Sequence, residues 1–199
     1  PDVLATCLAV PAVAYLISRA DGDFAILSAV VFGAGLIAVL GMSALYHAPT
    51  WSPRRFEILG RFDHAAIFLL IAGSYTPFCL CTEIPFGRVI LAGAWIVCTL
   101  GILRCLFFPK SDRRARTVLY VLLGLVLAPS IPALYREVGP VNLGLCVTGG
   151  ALYILGAGIY LVRRPDPFPR HFGYHEIFHL CVFAAAGCHY VAVWEIVVR

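Results

Sequence analysis

Charge is what this chain most lacks. Only 13% of its 199 residues are Asp, Glu, Lys or Arg, against about 25% in an average soluble domain. Hydrophobic residues make up 61% and the mean hydropathy is +0.89. A soluble fold of this length has too little interior for so much apolar surface, which excludes an ordinary aqueous domain and makes lipid the natural solvent. Also missing are any low-complexity tract, repeat or soluble module. The eight cysteines, Cys7, Cys79, Cys81, Cys98, Cys105, Cys146, Cys181 and Cys188, form no C-x-x-C pair and no disulfide-scaffold spacing. They are expected to be free thiols behaving as small hydrophobes. The first apolar run, 3–18, has no basic residue before it and no small-residue cleavage site after it, so it reads as a span rather than a signal peptide. The chain starts at Pro1 without an initiator Met, and the natural N-terminus is expected upstream.

Crossing the hydrocarbon core takes about 20 apolar residues in a helix. Seven segments meet or approach that length: 3–18, 24–46, 64–81, 89–108, 117–135, 138–162 and 174–198. The expected architecture is all-α, a single seven-helix membrane domain covering 1–199. Arg104 can snorkel from the end of the fourth span. Pro129 and Pro132 predict a kink or broken last turn in the fifth. Gly149, Gly150, Gly156 and Gly158 give the sixth a small-residue side suited to close helix contact. The net charge of +4 reads as topology rather than as a nucleic-acid surface. The loops after the second, fourth and sixth spans and their edges hold Arg54, Arg55, Arg61, Arg104, Lys110, Arg113, Arg114, Arg116, Arg163, Arg164 and Arg170, 11 of the 15 basic residues. Arg19, Arg88, Arg136 and Arg199 remain for the other side. The positive-inside rule then puts the N-terminus in the cytoplasm and the C-terminus outside.

Polar groups within spans are costly and so are functional candidates. Ser43 and His47 close the second span in "SALYH", Asp63 opens the third in "RFDHAAIFLL", and His175 and His179 open the seventh in "GYHEIFHL". The expected topology gathers these three helix ends on the cytoplasmic side. Residues four apart on a helix differ by about 6 Å of rise and about 40° of rotation, so His175 and His179 can aim at a single ion and Ser43 shares a face with His47. Catalytic zinc usually has three protein ligands and an open position, and His47, His175 and His179 supply three. Each residue also has a plainer explanation: Asp63 as a helix N-cap, His47 as a helix-end residue, Ser43 as a hydroxyl bonded back to the carbonyl four residues earlier. His64, about 100° around from Asp63, is read as supporting or interfacial, and His171 as solvated. His189, about 15 Å deeper than His179, is expected to bond a neighbouring helix.

The segments "SALYH", "RFDHAAIFLLIAGSYTPF" and "FGYHEIFHL" resemble the hemolysin III family, part of a superfamily with the adiponectin and progestin receptors and the alkaline ceramidases. The shared pattern falls on Ser43, His47, Asp63, His175 and His179. The resemblance runs along nearly the whole chain, and the short loops look like the bacterial branch. It implies a seven-helix bundle in a bacterial inner membrane, with zinc near the cytoplasmic face. In the ceramidase and receptor branches that site is associated with hydrolysis of lipid amides; for the bacterial branch a role in membrane-lipid homeostasis has been proposed.

The expected chemistry follows. Zinc on three neutral imidazoles acidifies water towards neutral pH, Asp63 orients that water and takes its proton, and Ser43 donates to the developing oxyanion. A membrane lipid or lipid-like amide or ester is the expected substrate. Arg61 is placed to hold an anionic headgroup, or serves topology alone. Two other classes stay open. One is a receptor, transducer or pore-forming hemolysin with structural zinc. The other is an intramembrane metalloprotease in which Glu176, within His175-Glu176-Ile177-Phe178-His179, is the base. Against the protease, the sole acid after His179 is Glu195, about 24 Å further along the helix.

Overall fold

The computed structural model describes residues 2–47, 50–108, 112–168 and 172–198. Lys110, Arg170, His171 and Arg199, all used in the sequence reading, lie outside them. The helices are α1 (Asp2–Arg19), α2 (Asp23–Tyr46), α3 (Pro53–Leu80), α4 (Gly87–Phe107), α5 (Arg113–Gly124), α6 (Ile131–Val162) and α7 (Tyr174–Val197), with a 3-10 turn at Ala128–Ser130. Among the described residues the only β pairing is an isolated bridge between Phe168 and Phe172. Five stretches are long and apolar enough to cross a membrane: α1, α2, α4, α7 and the 50-residue Arg113–Val162. All eight cysteines are free thiols.

The fifth and sixth expected spans both fall inside that 50-residue stretch. The predicted break near Pro129 is present but starts earlier. α5 stops at Gly124, the 3-10 turn carries Pro129, and helix resumes at Ile131 with Pro132 in its first turn. Proline lacks a donor and disfavours helix in the residue before it, whereas it suits a first turn. A second break falls at Gly139 (φ 74°, ψ 172°), one residue inside the start of the expected sixth span. A side chain is strained at that positive φ and glycine is not; Pro140 then restarts the helix.

The chain forms two compact units, Pro1–Ser111 with Ile196–Arg199, and Asp112–Glu195. In the first, α1 packs on α2, α2 on α3 and α3 on α4. The α2–α3 contact is backbone to backbone. A Cβ on Gly35 would lie 2.8 Å from Leu70 Cα, and one on Gly73 would lie 3.0 Å from the Val31 carbonyl oxygen. In the second unit α6 lies close against α7. A Cβ on Gly149 would enter the His189 ring, and one on Gly156 would sit 3.1 Å from Cys181 Cβ. Two polar contacts cross the same seam: Asn142 Nδ2 donates to the Ala192 carbonyl at 3.2 Å, and His189 Nε2 lies 3.3 Å from the Cys146 carbonyl. His189 thus bonds a neighbouring helix, as its depth predicted.

Candidate metal centre

Within the second unit, the start of α7 is fixed by two carboxylates. Glu176 Oε2 accepts the Gly173 N–H at 2.7 Å and Asp166 Oδ1 accepts the Tyr174 N–H at 3.1 Å. Both N–H groups belong to the open end of a helix, which has no intrahelical partner for them. The turn so fixed carries His175 and His179 on one face. Their Nε2 atoms are 2.9 Å apart and their ring centroids 4.6 Å apart. A tetrahedral zinc with bonds of about 2.05 Å separates its ligand nitrogens by about 3.3 Å. At 2.9 Å the two nitrogens are at hydrogen-bond distance, with donor and acceptor set by the tautomer, and the spacing is also close to that of a zinc ligand pair. Both rings are half-buried.

Within the first unit, α2 ends at Tyr46 and His47 is its C-cap, with its N–H donating to the Ser43 carbonyl at 3.0 Å. His47 is exposed; Tyr46 stacks on Phe56 at 4.6 Å and meets the His47 ring edge-on at 4.8 Å. The helix-end reading of His47 is therefore correct as local structure. Ser43 departs from its plainer reading. Its side chain is 7% exposed and its Oγ has no hydrogen-bond partner among the described residues. Ser74, Thr76 and Thr117 each donate to the carbonyl four residues earlier; Ser43 does not. A buried hydroxyl left open costs about 1–3 kcal/mol, so the Ser43 hydroxyl suits a ligand group.

Asp63 does not open its helix. α3 starts at Pro53 with Ser52 as N-cap, ten residues before Asp63, so the N-cap reading is removed. Asp63 and His64 are both half-buried in the interior of α3. Arg61 is already engaged: Nη2 pairs with Glu57 at 2.7 Å, and Nη1 donates to the Leu106 carbonyl at 3.2 Å, in the last turn of α4. It ties α3 to the negative end of α4's dipole, a structural task the sequence did not disclose.

The family described as Haemolysin-III related matches residues 3–190. The chain belongs to this family. Every candidate residue from Ser43 to His179 lies inside the matched segment. Among its relatives, Hemolysin-3 of Bacillus cereus is 32% identical over 94% of this chain and 84% of that protein. The Hemolysin-3 homolog of Bacillus subtilis (strain 168) is 30% identical over 94% of this chain and 86% of its own length. The Adiponectin receptor protein of Drosophila melanogaster is 32% identical over 95% of this chain but 48% of that protein. Family membership and the five long apolar stretches together make this an integral membrane protein. One feature of the centre escaped the sequence reading: Tyr160, whose ring stands 6.2 Å from that of His175. The available signal was its place one turn beyond Gly156, on the small-residue side of the sixth span.

Proposed function

We propose that this membrane protein is a zinc-dependent hydrolase of a lipid amide or ester, acting in membrane-lipid homeostasis. In this reading residues 1–199 form one seven-span domain in a bacterial inner membrane, N-terminus inside, with the site near the cytoplasmic face. His47, His175 and His179 hold the zinc, three imidazoles being the usual number of protein ligands at a catalytic site. The observation that carries the reading is the pair of α7 imidazoles with their Nε2 atoms 2.9 Å apart.

When bound, zinc supplies a Lewis acid that polarises a carbonyl and acidifies water. The rest falls to the chain's own groups. Asp63 accepts a proton from the attacking water, whose oxygen adds to the substrate carbonyl carbon. The buried Ser43 hydroxyl donates to the oxygen that gains charge. The C–N or C–O bond then breaks, and the proton held by Asp63 goes to the leaving amine or alcohol. The products are a fatty acid and a polar amine or alcohol. Glu176 stays outside this scheme because its carboxylate holds the α7 terminus.

Metal analysis tests the ligand set. Purified protein should carry about one zinc per chain, as expected for one three-histidine site, and His47→Ala, His175→Ala and His179→Ala should each lose most of it. Full occupancy in His47→Ala overturns the third ligand. Lipid profiles of cells expressing the wild type or His179→Ala test turnover: a lipid amide or ester should accumulate with the variant, and identical profiles would sink the hydrolase.

A further inference from the structure

The α6–α7 seam does not end at Gly156. Tyr160, on the next turn of α6, meets the Phe178 ring at 5.1 Å and the His175 ring at 6.2 Å between centroids. It is also held by Arg113, the first residue of α5. The guanidinium carbon lies 4.5 Å from the Tyr160 ring centroid, and Nη2 donates to the Tyr160 carbonyl at 3.2 Å. That carbonyl is in the last turn of α6, where no helical N–H reaches it. One arginine therefore grips both the backbone and the ring of one tyrosine. All of these groups belong to the second unit.

A histidine ring turns in a broad χ2 well. His175 must stay in one orientation for its Nε2 to face that of His179. On one side it has His179, with ring centroids 4.6 Å apart; on another it has Tyr160 and Phe178, each at 6.2 Å. We propose that Tyr160, clamped by Arg113, is a positioning residue that keeps the His175 ring turned towards the metal. The proposal rests on the zinc reading above. It assigns the work to the flat ring of Tyr160 rather than to its hydroxyl.

The experiment measures zinc release from the purified, zinc-loaded full chain into a strong chelator. Groups that orient a metal ligand typically change metal affinity by about 10- to 100-fold. Tyr160→Leu should therefore release zinc about tenfold faster, whereas Tyr160→Phe, which keeps the ring, should match the wild type. Arg113→Gln gives a test of sign. Removing a nearby positive charge by itself favours a bound cation and should slow release, whereas loss of the clamp should speed it several-fold. Arg114→Gln, which removes the neighbouring charge and leaves the clamp intact, should not speed it. Gly149→Ala strains the same seam about 16 Å away along α6 and should leave release at the wild-type rate.

Wild-type release from Tyr160→Leu overturns the proposal, as does equally fast release from Gly149→Ala, which would reduce Tyr160 to seam packing. If Tyr160→Leu fails to fold, Arg113→Gln decides: release at or below the wild-type rate overturns the clamp. A wild-type chain that binds no zinc, or a His179→Ala chain that binds it fully, overturns the zinc reading instead.

Discussion

Glu176 sits between two histidines in the order of a zinc peptidase, yet its carboxylate is occupied. It accepts the Gly173 N–H at 2.7 Å, the return half of a capping box. A lost cap costs about 1 kcal/mol, and the amide oxygen of Gln can still accept that bond. Glu176→Gln should therefore keep zinc and most turnover. Asp63→Asn should keep zinc and lose turnover, because an amide cannot take the proton. Zinc content and lipid profiles of the two variants check this; the reverse pattern would install Glu176 as the base and the peptidase reading with it. At this scale the sequence was informative where chemistry is local. The i, i+4 pairs Ser43/His47 and His175/His179 need only helix geometry. Asp63 was misplaced at a helix start because counting apolar residues finds the span and not the helix. α3 begins at Pro53, where Ser52-Pro53 is itself a start signal, and its charged first turns precede the apolar part. The Gly173 partner of Glu176 and the bonds of Arg61 depend on tertiary placement, which no spacing rule reports.

Four glycines gave the sixth span its small-residue side, but α6 divides them. Gly149 and Gly156, seven residues apart, face α7 closely, whereas Gly150 and Gly158 have nothing within 4 Å of an added Cβ. Seven residues is about two turns, so the first pair makes one stripe. Gly149→Ala places a methyl in the His189 ring and 3.1 Å from the Ala185 carbonyl oxygen. Overpacking of this kind costs about 1–3 kcal/mol. Gly150→Ala meets nothing and replaces the poorer helix former, a gain of up to about 1 kcal/mol. Thermal unfolding in detergent should rank Gly150→Ala at or above the wild type and Gly149→Ala below it. Equal midpoints would mean that the seam is looser than drawn. The stripe was readable from composition, but the face it presents depends on the helix start. That start was hidden by the broken stretch before it, where α5 ends at Gly124 and the 3-10 turn intervenes.

For the molecule as a whole, the number of crossings decides which side each end occupies. The stretch Arg113–Val162 has 50 residues. At 1.5 Å per residue it would reach about 75 Å as one helix, far beyond a hydrocarbon core of about 30 Å. It is interrupted at Gly139, where φ is 74°, and each side of that break is long enough to approach one crossing. Two crossings there, added to α1, α2, the apolar part of α3, α4 and α7, make seven and put the termini on opposite sides. One crossing makes six and puts them on the same side. The basic residues favour seven: 11 of 15 belong to the loops that seven spans place with the N-terminus, and lysine and arginine are retained on the cytoplasmic side. A reporter fused to the C-terminus should therefore be active only outside the cytoplasm. A second reporter in the Gly139 region should also be active only outside, because that turn joins the fifth and sixth spans. Cytoplasmic activity at the C-terminus with outside activity near Gly139 would remove a crossing between those two points, in the later part of α6 or in α7. Cytoplasmic activity at both points would mean an inverted orientation or a span lost before Gly139, with α3 the first suspect because it is absent from the five long apolar stretches; either carries the α7 histidines to the outer face, leaving an acyl substrate in the inner leaflet out of reach.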